Sequence, residues 1–592
     1  MRPPRVPLRM KNERGIALVT VLLLVLVIAT LAVTAAMLGG NATLVMKYRQ
    51  RETLLQNAAD AGIEEARAAV NGNKTLMPDS GFKAFESNAV VYDAAGKLIP
   101  NVTRSTYIGP TGITSGEYGV YASAVTVVKD AFGDMAVRRG EVYQESFAKY
   151  AYFTNVEGAI QFANGDQIFG PVHSNDVINI ASSGATFYGP VTTAKTISGK
   201  ANGTFKQGYT EKAPNIPFPT TADLTKLQTQ ASAGNLLITG TTTGALGQAT
   251  TRIEFVALDL DGDGKTTGAN EGFIRVYQSD SAAWVVSDVP GTYSTQGLRD
   301  SENCGDFHSG VFKSARSHFL GTSGTSDNYV AALNNVTKRC YLGGSDSLWG
   351  SFQATDAHGK WVKWPGSVSP LLAFRPDAQY LWPISRALNT NFKGVIFVNG
   401  NVVVSGKLRG QVTLAATGNI VVGDNLTYVT DPSLGTCADM LGLFAGVDVV
   451  MADNTLNSPE LPKGPSGGSG SNNNYKTYKS TKDEFVQAIV LALSQFTGEN
   501  YDQGPTNAEG CDTNQDGRGC LYLTGGIIQL NRGAVGLTDG HGYVKRYSYD
   551  ACGMTSPPPY FPTTGHYARG HYFEVDPTNF DVAAYFKMLT PP

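Results

Sequence analysis

Two short acidic segments of this sequence carry carboxylates at alternate positions, a spacing suited to binding a metal ion. Asp259, Asp261 and Asp263 lie in the segment DLDGDG. Alternate carboxylates converge on one cation, and the glycine permits the sharp turn of a calcium loop. An EF-hand needs an acid at loop position twelve, which is an asparagine here, and Glu271 comes one place later. Strand-like residues flank the segment, so it predicts a structural calcium site in a turn between strands; an ordinary acidic turn is the alternative.

A second segment, between Cys511 and Cys520, has the same alternation. Asp512, Asn514 and Asp516 lie at alternate positions, although this loop is shorter and its twelfth position is a leucine. A disulfide between the two cysteines would preorganise these oxygens and reduce the ordering cost of binding a cation. We predict a second structural calcium site here.

The sequence contains no familiar catalytic motif. It has no G-x-S-x-G elbow, H-E-x-x-H helix, Walker loop or dinucleotide fingerprint. Scattered acids offer glycosidase-like pairs, but any β-rich chain of this size does so. The formal net charge is −3, without a basic stripe interleaved with aromatics, so we expect no nucleic-acid partner. We predict no catalytic residues and no enzymatic activity.

An uncharged apolar run fills residues 16 to 38. At about 1.5 Å per residue, a helix of that length crosses the roughly 30 Å hydrocarbon core of a bilayer once. Five basic residues precede it: Arg2, Arg5, Arg9, Lys11 and Arg14. The positive-inside rule therefore places the N-terminus in the cytoplasm and the remainder outside. A secretory signal peptide is the alternative, but its apolar region is usually only about 7 to 15 residues long.

The helix is expected to continue past the membrane as an amphipathic segment. Residues 44 to 70 contain no proline. Apolar residues recur there at helical spacing, at Leu55, Ala59, Ile63, Ala66 and Val70. We therefore predict one long helix over residues 16 to 72.

Two stretches of this helix resemble a known family. The segment KNERGIALVTVLLL, followed by NAADAGIEEAR, is similar to the N-terminus of type IV prepilins, especially the PilX-like minor pilins. In that family a prepilin peptidase cuts after the glycine. The resemblance therefore implies a leader at residues 1 to 15, cleavage after Gly15 and a new N-terminus at Ile16. Translation from Met10 would give the short basic leader that is typical of the family.

One position departs from the pattern of the major pilins. These have Glu as the fifth residue of the mature chain, where it neutralises the N-terminal ammonium of a neighbour inside the filament, and this chain has Thr20. A buried ammonium without a partner is costly. The resemblance therefore implies a subunit at the filament tip, where no such neighbour must be satisfied. A signal-anchored surface protein unrelated to pili is the alternative.

Six cysteines lie in the C-terminal half of the chain, without a CxxC pair: Cys304, Cys340, Cys437, Cys511, Cys520 and Cys552. An even count beyond a membrane segment indicates disulfides formed in an oxidising compartment. Cys511 and Cys520 close a short loop and are the pair that we favour. The connectivity of the others stays open, and buried free thiols are the alternative.

The chain beyond the helix has the composition of a β-rich head. Gly accounts for 67 of the 592 residues and charged residues for only 16%, which is typical of turn-rich β proteins. Strand-like runs such as residues 118 to 128 predict a small pilin-like sheet over residues 80 to 150.

Short repeats predict stacked strands in this head. IFGPVHS at 168 to 174 is echoed by FYGPVTT at 187 to 193, and NGNVVVSG at 399 to 406 by TGNIVVGD at 417 to 424. Two further candidate strands are residues 443 to 451 and 525 to 530. The copies are nineteen residues apart in the first repeat and eighteen in the second. Val/Ile strands that recur at such an interval, bounded by Gly and Asn, match a β-solenoid. An antiparallel sandwich is the alternative.

The expected fold class is mainly β, with a long N-terminal transmembrane α-helix and a solenoid-like or sandwich-like head. We expect a β-rich region with the calcium-type loop over 151 to 460 and a C-terminal region over 475 to 592. The apolar run KDEFVQAIVLALSQF predicts a buried helix over 482 to 496. Motifs such as GGIIQLNRGAVG resemble the uncharacterised C-terminal region of large prepilin-like proteins.

The resemblance implies a structural role in a filament. It indicates a non-catalytic minor pilin or tip subunit that takes part in assembling a type IV pilus or related secretion filament. The implied partners are the inner membrane, prepilin peptidase, other minor pilins and the assembly machinery. The implied location is the inner membrane first and the pilus or cell surface afterwards. Alternatives are a calcium-stabilised adhesin, with a tip adhesin or a host or surface glycan as partner, and a membrane-tethered β-solenoid enzyme that acts on polysaccharides.

Overall fold

The structure is a computed structural model, and it describes residues 14–111, 120–163, 166–240, 249, 251–279, 359–373, 377–451, 484–499, 501–502, 519–537 and 539–590. The chain divides into two units. We call the first the helix–sheet unit, which comprises Met1–Gly112, Ala122–Val142 and Arg569–Pro592. The second is the solenoid unit, which comprises Ile113–Tyr121 and Tyr143–Ala568.

The helix–sheet unit consists of a long N-terminal helix, an antiparallel sheet and a short C-terminal helix. Its elements are α1 (Arg14–Gly72), β1 (Lys83–Tyr92), β2 (Leu98–Pro110), β3 (Tyr121–Asp130), β4 (Met135–Ser146), β29 (Thr563–Val575) and α4 (Val582–Leu589). The strand order is β1-β2-β3-β4-β29, and β2 pairs antiparallel with both β1 and β3. The strands that the sequence predicts between residues 80 and 150 are therefore present, and β29 adds a fifth from the end of the chain.

The second half of α1 packs against this sheet through the face that the sequence predicts. Leu55, Ala59, Ile63, Ala66 and Val70 are all buried, which confirms the amphipathic prediction. Small residues in the facing strands allow the close approach: a Cβ on Gly140 of β4 would lie only 2.3 Å from Cγ2 of Ile63. The helix therefore lies flat on the sheet over its second half.

The solenoid unit contains the remaining strands and two helices. The strands are β5 (Tyr152–Val156), β6 (Asp166–Ile168), β7 (Val172–Ser174), β8 (Ile178–Asn179), β9 (Ala185–Phe187), β10 (Val191–Thr193), β11 (Ile197–Ser198), β12 (Gly203–Phe205), β13 (Tyr209–Thr210), β14 (Leu237–Thr239), β15 (Thr251–Ala257), β16 (Gly272–Ser279), β17 (Gly359–Trp361), β18 (Trp382–Pro383), β19 (Val395–Asn399), β20 (Val402–Leu408), β21 (Gln411–Ala416), β22 (Ile420–Tyr428), β23 (Met440–Ala445), β24 (Val449–Met451), β25 (Glu484–Ala492), β26 (Phe496–Gly498), β27 (Cys520–Asn531) and β28 (Val544–Tyr549). The helices are α2 (Thr221–Ala233) and α3 (Cys552–Thr555).

Parallel pairing arranges most of these strands in three stacks. The first stack runs β14-β19-β21-β23-β25-β27-β5-β7-β10-β13. The second runs β15-β20-β22-β24-β26. The third runs from the far ends of β20 and β22 through the first halves of β25 and β27 to β28-β6-β9-β12. The described part of this unit is therefore a parallel β-solenoid, and the antiparallel sandwich is wrong.

The register of these stacks reproduces the sequence repeats. Val172 pairs with Val191, and Val402 pairs with Ile420, so each pair joins equivalent positions of two echoed motifs. From β19 to β10 in the first stack, one side chain of each strand points inward, and together these form a continuous apolar column: Ile396, Leu414, Leu443, Val490, Ile527, Tyr152, Val172 and Val191. The candidate strands at 443 to 451 and 525 to 530 are present in β23, β24 and β27.

The chain does not wind the solenoid from end to end. β5, the first strand of the unit, lies in the middle of the first stack between β27 and β7. The segments 151 to 460 and 475 to 592 therefore contribute neighbouring strands to one solenoid. Beyond β13, residues 211 to 220 have no regular structure, and α2 then covers the outer side of the first stack, where Leu224 and Leu227 pack in one cluster with Phe397.

The main segment of the solenoid unit, Tyr143–Ala568, is an insertion between two strands that are adjacent in the five-stranded sheet. The chain leaves the helix–sheet unit within β4 and returns within β29, and these strands are neighbours in the five-stranded sheet. Where they end, the backbone N–H of Phe147 donates to the carbonyl oxygen of Pro562 at 3.0 Å. The entry and exit points of the solenoid are thus held side by side.

The helix predicted over 482 to 496 is wrong. Within the described residues of this segment, Glu484–Ala492 is strand β25 and Phe496–Gly498 is strand β26. Inward residues of β25 such as Val490 join the solenoid core, while outward residues such as Ile489 and Leu491 are buried in the cluster that contains α2. A parallel strand covered on both faces has a continuous apolar sequence, which resembles that of a buried helix.

Candidate functional site: the uncovered helix, the acidic loop and the disulfides

The first half of α1 is the main exposed apolar element among the described residues. Gly15 and Ile16 lie in its first turn, because the helix begins at Arg14. Every residue from 17 to 50 is exposed. The helix is long and apolar enough to cross a membrane. Its hydroxyl groups suit apolar surroundings, since Thr20, Thr30 and Thr34 donate to carbonyl oxygens of the preceding turn at 2.8 to 3.0 Å.

A clamp marks the point where the sheet begins to cover α1. Arg51 forms an ion pair with Asp130 and a second with Asp134 at 3.2 Å. Its guanidinium also lies over the ring of Phe132, 4.3 Å from the centroid. Asp130 Oδ1 accepts the backbone N–H groups of Phe132 and Asp134 at 2.9 and 3.0 Å. The turn between β3 and β4 is thereby fixed against the helix.

The clamp also sets the protonation of its central acid. Burial acts to raise the pKa of Asp130, but the bonds from Arg51 and from the two backbone amides outweigh burial and lower the pKa below its ordinary value. Asp130 is therefore a carboxylate at neutral pH, and the ion pair with Arg51 is formed under ordinary conditions.

The structure brings the three aspartates of the first acidic loop together. Each of Asp259, Asp261 and Asp263 offers an oxygen that lies within 4.8 Å of the others, and all three are exposed. Asp259 also shapes the turn, because its two oxygens accept the N–H groups of Gly262 and Gly264 at 2.7 and 2.9 Å. The loop joins β15 to β16, as the flanking strand-like residues predict. This donor set fits a hard cation such as calcium.

Glu271 lies outside this group and has a structural position. Its side chain is 1% exposed, and its two oxygens accept the N–H groups of Leu260 and Gly268 at 2.9 and 2.6 Å. On the other side of the loop, Arg409 donates to the carbonyl oxygens of Thr267 and Gly268. Glu271 therefore closes the loop that carries the three aspartates, while Arg409 ties it to the solenoid.

The second predicted metal loop lies outside the described residues, with Asp512, Asn514 and Asp516. Cys304, Cys340 and Cys511 lie outside them as well. Cys437 and Cys552 form a disulfide, with their Cα atoms 5.4 Å apart. Cys520 is buried and also disulfide-bonded. Free thiols are therefore the wrong interpretation for these three, and the connectivity that the sequence left open is settled for Cys437 and Cys552.

A cluster of charged side chains faces the inside of the solenoid. Arg532 pairs with Glu157 at 3.0 Å, and Lys545 lies 4.0 Å from Asp166. Burial lowers the pKa of Lys545 and raises that of Glu157. The adjoining cavity has a volume of about 30 Å³, enough for about one water molecule.

Sequence reasoning missed the residues that hold these features in place. Arg51 is distant in sequence from Asp130 and Phe132. It meets them only because the turn that follows β3 lies beside α1. Arg409, which holds the acidic loop, comes from a different stretch of the solenoid. Among these features, the Asp-Ala-Phe-Gly-Asp turn has a local signal, since Asp and Gly in close succession favour a tight turn.

Comparisons with known proteins give little further information. No protein family model matches the sequence, and no curated protein matches it. Among solved structures, the chain is similar to the competence-associated pilin ComZ from Thermus thermophilus, with 12% identity, 88% of this chain and 96% of that chain covered, and a TM-score of 0.25. A TM-score that low does not establish a shared fold.

Proposed function

We propose that this chain is a prepilin-type subunit, a minor pilin or tip subunit that takes part in assembling a type IV pilus or related filament. The observation that carries the proposal is the division of α1 into two halves. The first half is uncharged from 16 to 38 and exposed throughout residues 17 to 50, and the second half packs one face on an antiparallel sheet. A helix of this kind can anchor a precursor in a bilayer and later pack among similar helices.

The tip position rests on two features of the chain. Thr20 stands where the resemblance to major pilins would require a glutamate, so no carboxylate is available there for a neighbour's ammonium. The solenoid unit makes up most of the chain, and a bulk of that kind is easier to place at the end of a filament than in its shaft. In this role the chain has no catalytic duty, and its partners are other pilin-type subunits and the assembly machinery.

Prepilin peptidase is expected to release Ile16 as the mature N-terminus. N-terminal sequencing of the protein from cells with the peptidase should give Ile16, and from cells without it the unprocessed precursor. The variant Gly15→Val should remain a precursor in both strains, whereas Gly39→Val in the same helix should be processed normally, because a side chain at Gly39 meets no atom within 4 Å. Cleavage near Ala36, or no cleavage in either strain, would remove the proposal.

We also propose that the loop with Asp259, Asp261 and Asp263 holds a structural calcium ion. Calcium is expected to raise the melting temperature of the purified chain, because three clustered carboxylates repel one another until a cation neutralises them. Asp261→Asn should abolish most of this shift. Asp431→Asn is the matched control, since Asp431 is an exposed turn aspartate whose Oδ1 also accepts a backbone N–H, at 2.8 Å. An equal calcium shift in both variants would exclude the site.

An adhesin is the second candidate, and the outer side of the third stack favours it. Two stacked aromatic pairs lie there, Phe169 with Tyr188 and Phe485 with Tyr522, with ring centroids 4.3 and 4.9 Å apart. Neighbouring positions carry hydroxyl and amide groups. Arg546 lies directly opposite Tyr522 and is exposed on the same side. Aromatic and polar groups on one surface suit a glycan, and glycan binding by the purified chain would distinguish this role from assembly alone.

A further inference from the structure

A row of outward-facing side chains runs along the third stack of the solenoid unit. Its six members lie at neighbouring positions of six consecutive strands: Phe485, Tyr522, Arg546, Gln167, Thr186 and Thr204. The next residue along each strand, such as Leu523, Ile168 or Phe187, faces the solenoid core, and successive side chains of a strand point to opposite faces. We call this set the outer row. Neighbouring strands are about 4.8 Å apart, so the outer row is about 24 Å long.

The outer row contains no carboxylate, and neither does the row beside it. That second row lies two residues further along the strands and includes Gln487, Thr524 and Ser548. The acidic residues of the same strands face inward, since Glu484 is 3% exposed and Asp166 belongs to the inner charged cluster with Lys545. The outer side of this stack therefore presents aromatic, hydroxyl and amide groups without a negative charge from these strands.

Arg546 is the cation within the outer row. Its side chain is exposed, and its Nη1 donates to the carbonyl oxygen of Lys545 at 3.0 Å. It forms no ion pair with any residue that the structure describes, whereas the inner arginines Arg275 and Arg532 both pair with acids. Two lysines near the ends of the stack, Lys407 in β20 and Lys206 just after β12, also have no ion pair among the described residues. This positive charge is available to a ligand.

We infer that the outer row binds a linear acidic polysaccharide, one in which sugars with a carboxylate alternate with neutral sugars. The inference rests on the adhesin role proposed above and names the class of its ligand. The guanidinium of Arg546 matches a carboxylate in shape and charge. Threonine, serine and glutamine side chains donate to and accept from sugar hydroxyls, and the rings of Phe485 and Tyr522 offer apolar contact.

The spacing of the cations decides between the acidic polymers. Lys407, Arg546 and Lys206 are three to four strands apart, and the positions between them in these rows are uncharged. A nucleic acid carries a phosphate on every nucleotide and is held by a continuous positively charged groove. Widely spaced cations with hydroxyl and amide groups between them suit a polymer that is charged only on alternate sugars.

Retention of the detergent-solubilised full-length chain on immobilised hyaluronan tests this inference. Every second sugar of hyaluronan has a carboxylate, and carboxyl-reduced hyaluronan is the same polymer without the charge. The chain should bind hyaluronan at least tenfold more tightly than the reduced polymer, with a preference that weakens as salt is added. Arg546→Gln should lower the affinity for hyaluronan about tenfold, as loss of a hydrogen bond to a charged group does. Lys360→Gln is the control, since Lys360 is exposed in β17, outside this stack.

A pair of substitutions at one exposed position separates charge from shape. Gln167 lies beside Arg546 in the outer row, so Gln167→Glu should weaken hyaluronan binding and Gln167→Lys should strengthen it, with melting temperatures that stay alike. An equal response of the two variants would overturn the inference, and so would tighter binding to single-stranded DNA than to hyaluronan.

The outcomes also distinguish this inference from the proposals on which it rests. Equal retention on hyaluronan and on its reduced form would reject the acidic ligand and leave the glycan-binding role. No retention on either polymer would overturn the inference and, if a panel of neutral glycans also fails to bind, the adhesin role with it. The filament role is judged separately, by the presence of Ile16 at the mature N-terminus.

Discussion

Replacement of both Cys437 and Cys552 with alanine is expected to lower the free energy of unfolding of the solenoid unit by about 4 to 5 kcal/mol. The disulfide joins the turn between β22 and β23 to the first residue of α3, and its two cysteines have a sequence separation of 115. A cross-link that closes so long a loop removes much of the conformational freedom of the unfolded chain. Equilibrium unfolding in denaturant, followed by near-ultraviolet circular dichroism, measures the change.

The choice of variants separates this disulfide from the others. Cys520 is also disulfide-bonded, so a reductant acts on more than one bond in the parent protein. The double alanine variant reports on the bond between Cys437 and Cys552 alone. Any further decrease in the free energy of unfolding when reductant is added to that variant reports on the remaining disulfides. A double variant as stable as the parent would show that these strands are held by packing and that the disulfide contributes little.

The solenoid was predictable from sequence because its strands follow a short pattern that repeats along the chain. Stacked parallel strands repeat a short pattern at the length of one turn, and the pairs Val172 with Val191 and Val402 with Ile420 fall at the predicted intervals. Glycine recurs at the same place in both copies of each repeat, and asparagine does so in the second repeat. The order of the stack was not predictable, because β5 lies between β27 and β7, and no local pattern reports which distant strands become neighbours.

The helix predicted over 482 to 496 is wrong for a physical reason. An isolated strand in contact with water alternates between apolar and polar residues, but β25 is covered on its inner side by the solenoid core and on its outer side by the cluster with α2. Both faces are apolar, so periodicity cannot separate strand from helix. The cluster that provides this cover draws residues from distant parts of the sequence, at 147 to 150, 216 to 231 and 552 to 561.

The candidate sites divide in the same way. The acidic loop was predictable because all three aspartates lie at alternate positions of one short segment, and the structure adds only its supports, Glu271 and Arg409. The anchor helix was predictable from its uncharged run. The clamp of Arg51 with Asp130 was not, because it depends on the register between β3 and α1, which is fixed by packing of the buried face.

A buried ion cluster in the solenoid unit leads to the second large prediction. Glu254 of β15 lies directly opposite Arg275 of β16 in the antiparallel pair. Arg275 Nη2 lies 2.8 Å from Asp377 Oδ2, and Nη1 lies 3.4 Å from Glu254 Oε2. The side chains of all three residues are fully buried. The nearby Arg252 is also buried and donates to Ser405 Oγ at 2.6 Å.

Arg275→Met is expected to lower the free energy of unfolding by about 3 to 5 kcal/mol, because it leaves two buried acids without their shared cation. Adding Glu254→Gln and Asp377→Asn to that variant should recover part of the loss, since neutral amides are less costly to bury than carboxylates. Denaturant midpoints of the single and triple variants provide the measurement. If the triple variant were no more stable than the single one, the loss would come from packing around Arg275 and not from charge.

The same cluster should make the stability of the protein depend on pH. Burial raises the pKa of Glu254 to about 7, although Arg275 and Arg252 act to lower it, whereas the ordinary value that applies to the unfolded chain is 4.5. The folded state therefore holds a proton that the unfolded state releases, so this contribution, on the order of 3 kcal/mol, is fully present below about pH 4.5 and is lost as the pH rises through 7. Glu254→Gln should flatten the decline between these values, and the exposed control Glu574→Gln should not. An unchanged slope in Glu254→Gln would mean that Glu254 does not hold the proton that the folded state takes up.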